Sequence, residues 1–140
     1  MDDRVIEVYT TDAVGFIRYL VDQLPSEADA VFQRAEAGEV ILQLPVIAAV
    51  ETLYRLNKRE HSKGVPINVS SDEIIEGLRS YLPVSVVENG IGDIEAVVTL
   101  VSDLSIHDAM IVASHQVRET DGIITSDPEI RELEVSVVWD

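Results

Sequence analysis

Short apolar runs of strand length alternate with amphipathic helical segments along the whole chain, and this order leaves few folds open. Val5 to Thr10 (VIEVYT) reads as a strand, and Asp12 opens the periodic segment Ala13 to Leu24, closed by Pro25. Ser26 is placed to cap a second helix that runs to about Ala37, with Gly38 as its stop signal. A second strand, Val40 to Leu44, precedes a helix that Pro45 opens as its first residue and that runs to about Arg59. After the polar stretch His61 to Pro66 the pattern gives a helix over Ser71 to Tyr81 and a strand over Val84 to Val87. Helices follow over Ile91 to Asp103 and Ser105 to Arg118, then strands over Gly122 to Thr125 and Val135 to Trp139. Strands and helices in this alternation predict an α/β domain with a mainly parallel sheet, whose ligand sites lie at the carboxyl ends of strands.

The chain's 140 residues, 46% of them hydrophobic, suit one core and one domain over residues 1–140. No apolar run approaches the roughly 18 residues of a membrane span, and Met-Asp-Asp-Arg lacks the regions of a signal peptide. A soluble, cytoplasmic protein with no membrane contact is therefore expected. The absence of cysteine excludes disulfides, thiolate metal sites and cysteine nucleophiles, so any metal is held by oxygen or by His. The formal charge is −16, and only Lys58 and Lys63 are lysines. The acids are interleaved with periodic apolar residues, unlike those of a disordered acidic tail. Such a surface is either ordinary solvation or a halophile-like adaptation to a salt-rich cytoplasm, where screening limits self-repulsion. In either case a nucleic acid needs a local basic patch.

Four acids break or end apolar runs: Asp12, Glu51, Asp108 and Asp127. A carboxylate at the rim of a core is paired, protonated or bound to a cation, because desolvating an unpaired charge is expensive. Asp12 and Asp127 follow the first and fourth strands, and each also has an ordinary explanation as a helix N-cap, Asp127 with Pro128 at the first helical position. Wound at 100° per residue, the helix from Pro45 carries an apolar stripe of Val46, Ile47, Val50, Leu53 and Tyr54, with Glu51 at its edge. An (i, i+4) pair with Arg55 is the bland alternative there. Asp108 is the only carboxylate of a helix that is apolar around most of its circumference, so that helix is expected to be largely buried; a capping box with Ser105 is its bland alternative. His61, His107 and His115 lack zinc-like spacing and read as structural or surface residues, and Trp139 as a core or edge residue.

The segments VYTTDAVGFIRYL, LPVIAAVETLYRL, SIHDAMIVASHQV and IITSDPEI, with the closing VSVVW, together resemble the PIN-domain nucleases, in particular the VapC-like toxin ribonucleases. The resemblance runs from about Val5 to Trp139 and rests on the order and spacing of the four acids, since each motif is short. It implies a three-layer α/β/α sandwich around a mainly parallel sheet of about five strands. It further implies an acidic pocket of Asp12, Glu51, Asp108 and Asp127 that holds Mg²⁺ or Mn²⁺ and cleaves RNA. Thr125 matches a hydroxyl residue two positions before the last acid. Such a toxin implies an antitoxin partner and a homodimer. One departure stands out: Ala13 and Val14 follow Asp12, where the family usually has Thr or Ser first. The alternatives are accordingly a catalytically weakened module acting through protein or RNA partners, or an RNA-processing nuclease that is not a toxin. For RNA contacts the candidates are Arg18, near the first acid, and the basic run Arg55, Lys58 and Arg59, continued by His61 and Lys63, although cations at a helix end also complement its dipole.

Overall fold

The computed structural model describes residues 5–58, 61–62, 65–66, 70–100 and 102–140, with residues 61–62 and 65–66 as backbone. Among these, the elements run β1 (Val8–Thr11), α1 (Ala13–Leu20), α2 (Ser26–Glu36), β2 (Ile41–Pro45), α3 (Val46–Asn57), β3 (His61–Ser62), β4 (Val65–Pro66), α4 (Ser71–Ser80), β5 (Ser85–Val87), α5 (Ile91–Val98), α6 (Ile106–Arg118), β6 (Gly122–Ile124) and α7 (Pro128–Arg131). β3 and β4 form a small antiparallel ladder.

The central sheet has the order β5-β2-β1-β6, and every pairing in it is parallel. Each step needs a helical crossover, and helices flank the sheet. The first two connections, β1 to β2 and β2 to β5, move toward one edge, whereas the connection from β5 to β6 returns past β1 to the opposite edge. Right-handed crossovers that reverse direction in this way open a crevice at the reversal, beyond the carboxyl ends of β1 and β6. Strands in such a sheet are covered on both faces, and Tyr9, Thr10, Thr11, Leu42, Leu44, Ile123 and Ile124 are buried accordingly. Phe16 and Phe32 are fully buried between the helices and the sheet, and Tyr19 stacks on Phe32 at a centroid distance of 4.5 Å.

The sheet has four strands rather than about five. The terminal run Val135 to Trp139 contributes a single parallel bridge, Ile123 to Val137. Beyond that bridge its groups have other partners: the Arg18 guanidinium lies 4.9 Å from the Trp139 ring centroid, and Arg131 donates to the Trp139 carbonyl. Asp140 then accepts from the Glu27 N–H at 2.9 Å and from the Ser26 hydroxyl. Ser26 is thus the first helical residue and not the cap; the first turn of α2 is satisfied by an acid 114 residues away in sequence.

Pro45 is also displaced from its expected place. With φ −60° and ψ 146° it closes β2 as an extended residue and serves as the N-cap of α3. At a strand end the missing N–H is cheap. Gly38, at φ 76°, ends α2 as its sequence position predicts. The first helix stops at Leu20, short of Leu24, and the helix expected over Ile91 to Asp103 stops at Val98. Among the described residues no helix is long and apolar enough to cross a membrane.

Candidate active site

The crevice beyond β1 and β6 is a cavity of about 540 Å³ that brings Asp12, Glu51, Asp108 and Asp127 together. A fifth carboxylate, Glu129, and His107, Arg55, Ala13 and Val14 share its walls.

Asp12 is the most buried of the cavity's acids, with 8% of its surface exposed. Its extended backbone (φ −85°, ψ −178°) makes it the N-cap of α1, and Oδ1 accepts from the Gly15 N–H at 2.8 Å. The other oxygen accepts from the Thr125 hydroxyl at 2.6 Å, a charge-assisted length. Thr125 Oγ1 in turn accepts from the Asp127 N–H at 3.1 Å, so one hydroxyl joins the ends of β1 and β6. Gly15 permits this closeness, because a Cβ there would stand 2.5 Å from Thr11 Oγ1 and 3.1 Å from Ile124 Cγ2. Burial, with smaller contributions from the nearby Glu51 and Asp127 charges, raises Asp12 from 3.8 to about 6 despite its two hydrogen bonds.

Asp127 caps the short helix α7, Oδ1 accepting from the Glu129 N–H at 2.7 Å. The cap reading of both aspartates is therefore correct, and each also faces the cavity. At the start of α6 the Ser105 hydroxyl accepts from the Asp108 N–H at 3.3 Å and contacts Asp108 Oδ2 at 3.0 Å. Asp108 stays half-buried beside Asp127, and burial together with that second carboxyl raises it to about 7. Behind it Ala109, Ile111, Val112, Ala113 and Ser114 are buried, while Ile106 and Val117 are exposed.

Asp108, Asp127 and Glu129 each offer an oxygen, and these atoms lie within 4.8 Å of one another. Two half-buried and one exposed hard oxygen donor, with Asp108 and the adjoining Asp12 resisting ionisation, match what Mg²⁺ or Mn²⁺ requires. Glu129 is absent from the sequence candidates. Its signal was its place two residues after Asp127, in the first turn of a Pro-initiated helix.

Glu51 meets the cavity from α3. Its Oε2 pairs with Arg55 Nη2 at 2.9 Å and its Oε1 with His107 Nδ1 at 3.2 Å. The bland (i, i+4) pair thus exists, and His107 joins the site. Of the predicted basic residues, Arg55 lines the cavity; Arg18 stacks on Trp139 and Lys58 sits 5.4 Å from the Tyr54 ring centroid, neither on the cavity wall. Arg59, Lys63 and the His61 side chain lie outside the described residues. His115 is engaged elsewhere, 2.7 Å from Thr120 Oγ1. A further buried acid, Asp93, is held apart from the cavity by Arg118 at 2.7 Å.

The sequence matches no family model and no curated protein. Solved structures share its fold. The chain of a toxin–antitoxin complex from Klebsiella pneumoniae superposes with a TM-score of 0.67 at 17% identity, covering 93% of this chain and 95% of that one. VapBC2 from Rickettsia felis, bound to a promoter DNA fragment, gives 0.69 at 9% identity, covering 95% and 99%. Mycobacterium tuberculosis VapC20, a sarcin–ricin loop cleaving toxin, gives 0.66 at 13% identity, covering 94% and 99%. The fold is PIN-like, with four parallel strands in the central sheet. The likeness to VapC toxins read from four short motifs therefore extends over the described fold, from β1 to the bridge at Val137.

Proposed function

We propose that this chain is a divalent-metal-dependent endoribonuclease and the toxin component of a toxin–antitoxin pair. The observation that carries the reading is the convergence of five carboxylates on one cavity at the sheet's switch point. The shared fold with toxins, one of them acting on RNA, supports it. Asp12, Glu51, Asp108 and Asp127 are the proposed catalytic and metal-site acids, and Glu129 joins them. Asp108, Asp127 and Glu129 would hold the ion, with Asp12 behind them. When bound, Mg²⁺ or Mn²⁺ lowers the pKa of a water and neutralises charge developing on the scissile phosphodiester. Asp12 is kept in place by the hydroxyl of Thr125, just past β6, and by the Gly15 N–H. Arg55 offers a guanidinium at the cavity wall for a phosphate.

The partners that go with this reading are an RNA substrate, an antitoxin and a second copy of the chain, with residues 1–140 acting as one domain in a cytoplasm, the −16 charge suiting a salty one. The test is RNA cleavage with Mg²⁺ or Mn²⁺. Cleavage is expected for the wild type and lost in Asp12→Asn and Asp108→Asn that remain folded; equal cleavage by all three would sink the proposal. A second reading, a weakened module acting through partners, is favoured by Ala13 and Val14 on the cavity wall, which offer no hydroxyl. It predicts no divalent-ion binding at millimolar concentration.

A further inference from the structure

The apolar stripe of α3 is only partly the face that the helix buries. Ala48, Ala49, Thr52 and Leu56 turn inward, while Val50 and Tyr54 are 54% and 58% exposed. Core packing therefore does not account for Tyr54. Wound at about 100° per residue, Tyr54 and Lys58 fall about 20° to either side of the line through Ile47, and Ile47 and Glu51 both line the cavity. The cavity-facing strip of α3 thus continues outward as Tyr54 and Lys58. At about 1.5 Å per residue they stand about 5 Å and about 10 Å beyond Glu51 along the helix axis. The Lys58 ammonium lies 5.4 Å from the Tyr54 ring centroid, so cation and ring form one unit. From Thr52 to Arg59 the sequence carries Arg55, Lys58 and Arg59 and no acid, in a chain of net charge −16. This is the local basic patch that a nucleic acid needs on so acidic a protein.

Resting on the RNA-cleavage reading above, we propose that Tyr54 and Lys58 form a nucleotide subsite just outside the cavity, the ring stacking a base of the RNA and the ammonium holding a phosphate of the same strand. Stacking on an aromatic side chain accepts any base, because every base has a π-face, and it works together with cations that track the backbone. Lys58 is a compact charge on a flexible stem, so it can leave the ring for a phosphate when a base takes its place. Arg55, on the cavity wall, makes the line of cations continuous from the cavity to the subsite. The subsite needs an unpaired base, which a duplex with its bases stacked on one another does not offer. A protein docking on Val50 and Tyr54 would use their apolar surface instead, with no need of an aromatic ring or of Lys58.

The experiment is fluorescence anisotropy of a short fluorescein-labelled oligoadenylate titrated with the full chain at low salt in chelator, where no strand is cut. Tyr54 and Lys58 are exposed, so their variants are expected to fold. Tyr54→Ala is expected to weaken binding about 5- to 150-fold, the loss of one base stack. Tyr54→Phe should bind as wild type does, and Tyr54→Leu as the alanine variant does. Lys58→Ala should make the slope of log affinity against log salt shallower by about 0.7, one phosphate contact on a single strand. The same strand annealed to oligouridylate should bind more weakly and be indifferent to Tyr54→Ala. Wild-type affinity in Tyr54→Ala, or no binding by the wild type, overturns the subsite; wild-type affinity in Tyr54→Leu overturns it in favour of an apolar docking surface for a protein. Mn²⁺ added to the same samples then reads cleavage separately. Cutting with no effect of Tyr54→Ala on binding removes the subsite alone, whereas Tyr54-dependent binding without cutting removes the nuclease reading and leaves the subsite standing.

Discussion

Replacing Asp12 with Asn isolates the electrostatic tension at the centre of the cavity. Burial raises this acid from 3.8 to about 6, so between those values the folded chain keeps a proton that the unfolded chain has lost. Folded protein that binds more protons loses stability as pH rises, here through the interval from about 4 to 6. At about 1.4 kcal/mol per pH unit, ionised Asp12 destabilises the metal-free fold by about 3 kcal/mol above pH 6, and by nothing below pH 4. Asn is an equally good N-cap, so the Gly15 contact survives the substitution. Urea unfolding in chelator should therefore find Asp12→Asn more stable than wild type by up to about 3 kcal/mol at pH 8, with the two alike at pH 4. Some fall in stability with pH should remain, because Asp108 is raised to about 7; being half-exposed, it contributes less. Divalent ions should restore stability to the wild type more than to the variant. A loss of stability in Asp12→Asn at pH 8, or a difference that does not change with pH, would refute the reasoning.

Three other perturbations follow from the same contacts. Thr125→Val removes both the donor to Asp12 and the acceptor for the Asp127 N–H, and should cost about 1–3 kcal/mol by denaturant titration, more at pH 8 than at pH 4. Gly15→Ala drives a methyl into Thr11 Oγ1 and Ile124 Cγ2 and should cost about 1–3 kcal/mol in the same assay, while weakening divalent-ion binding through displacement of Asp12. Burial would raise Asp93, but Arg118, the Gly90 N–H and Asn89 hold it below 3.8, so its contribution is present above pH 4 and is lost as pH falls. Asp93→Ala should cost about 3 kcal/mol at pH 7 by leaving the Arg118 charge without its carboxylate, although Ser114 and the Glu88 carbonyl still accept from it, without changing metal affinity.

The periodic segments were legible because a strand or helix face advertises itself at every second or every third to fourth residue. Their ends were less so. Pro45 is compatible with a strand end and with a helix start, and only the pairing of Pro45 with Val87 decides between them. The last run looks like a strand because Val135, Val137 and Val138 are β-branched, but Asp140 and Trp139 are drawn to α2 and Arg18, and one bridge is what remains. In the cavity, the four acids announced themselves by interrupting apolar runs. Glu129 interrupts none, lying exposed in a polar turn, and joins the site only because α7 turns it toward Asp108. Asp93 sits at an equally apolar position and is paired with Arg118, 25 residues on, so position in a pattern does not by itself distinguish a structural ion pair from a functional acid. His107 could not be told from a surface histidine until Glu51 lay beside it.

The central claim is that the oxygens of Asp108, Asp127 and Glu129 form a site for a divalent ion. Anomalous diffraction at the manganese edge from crystals grown with millimolar Mn²⁺ tests it most directly. The account predicts a peak within coordination distance of all three carboxylates, absent in Asp108→Asn crystals. A cavity without a peak in the wild type, or one that persists unchanged in the variant, would contradict it.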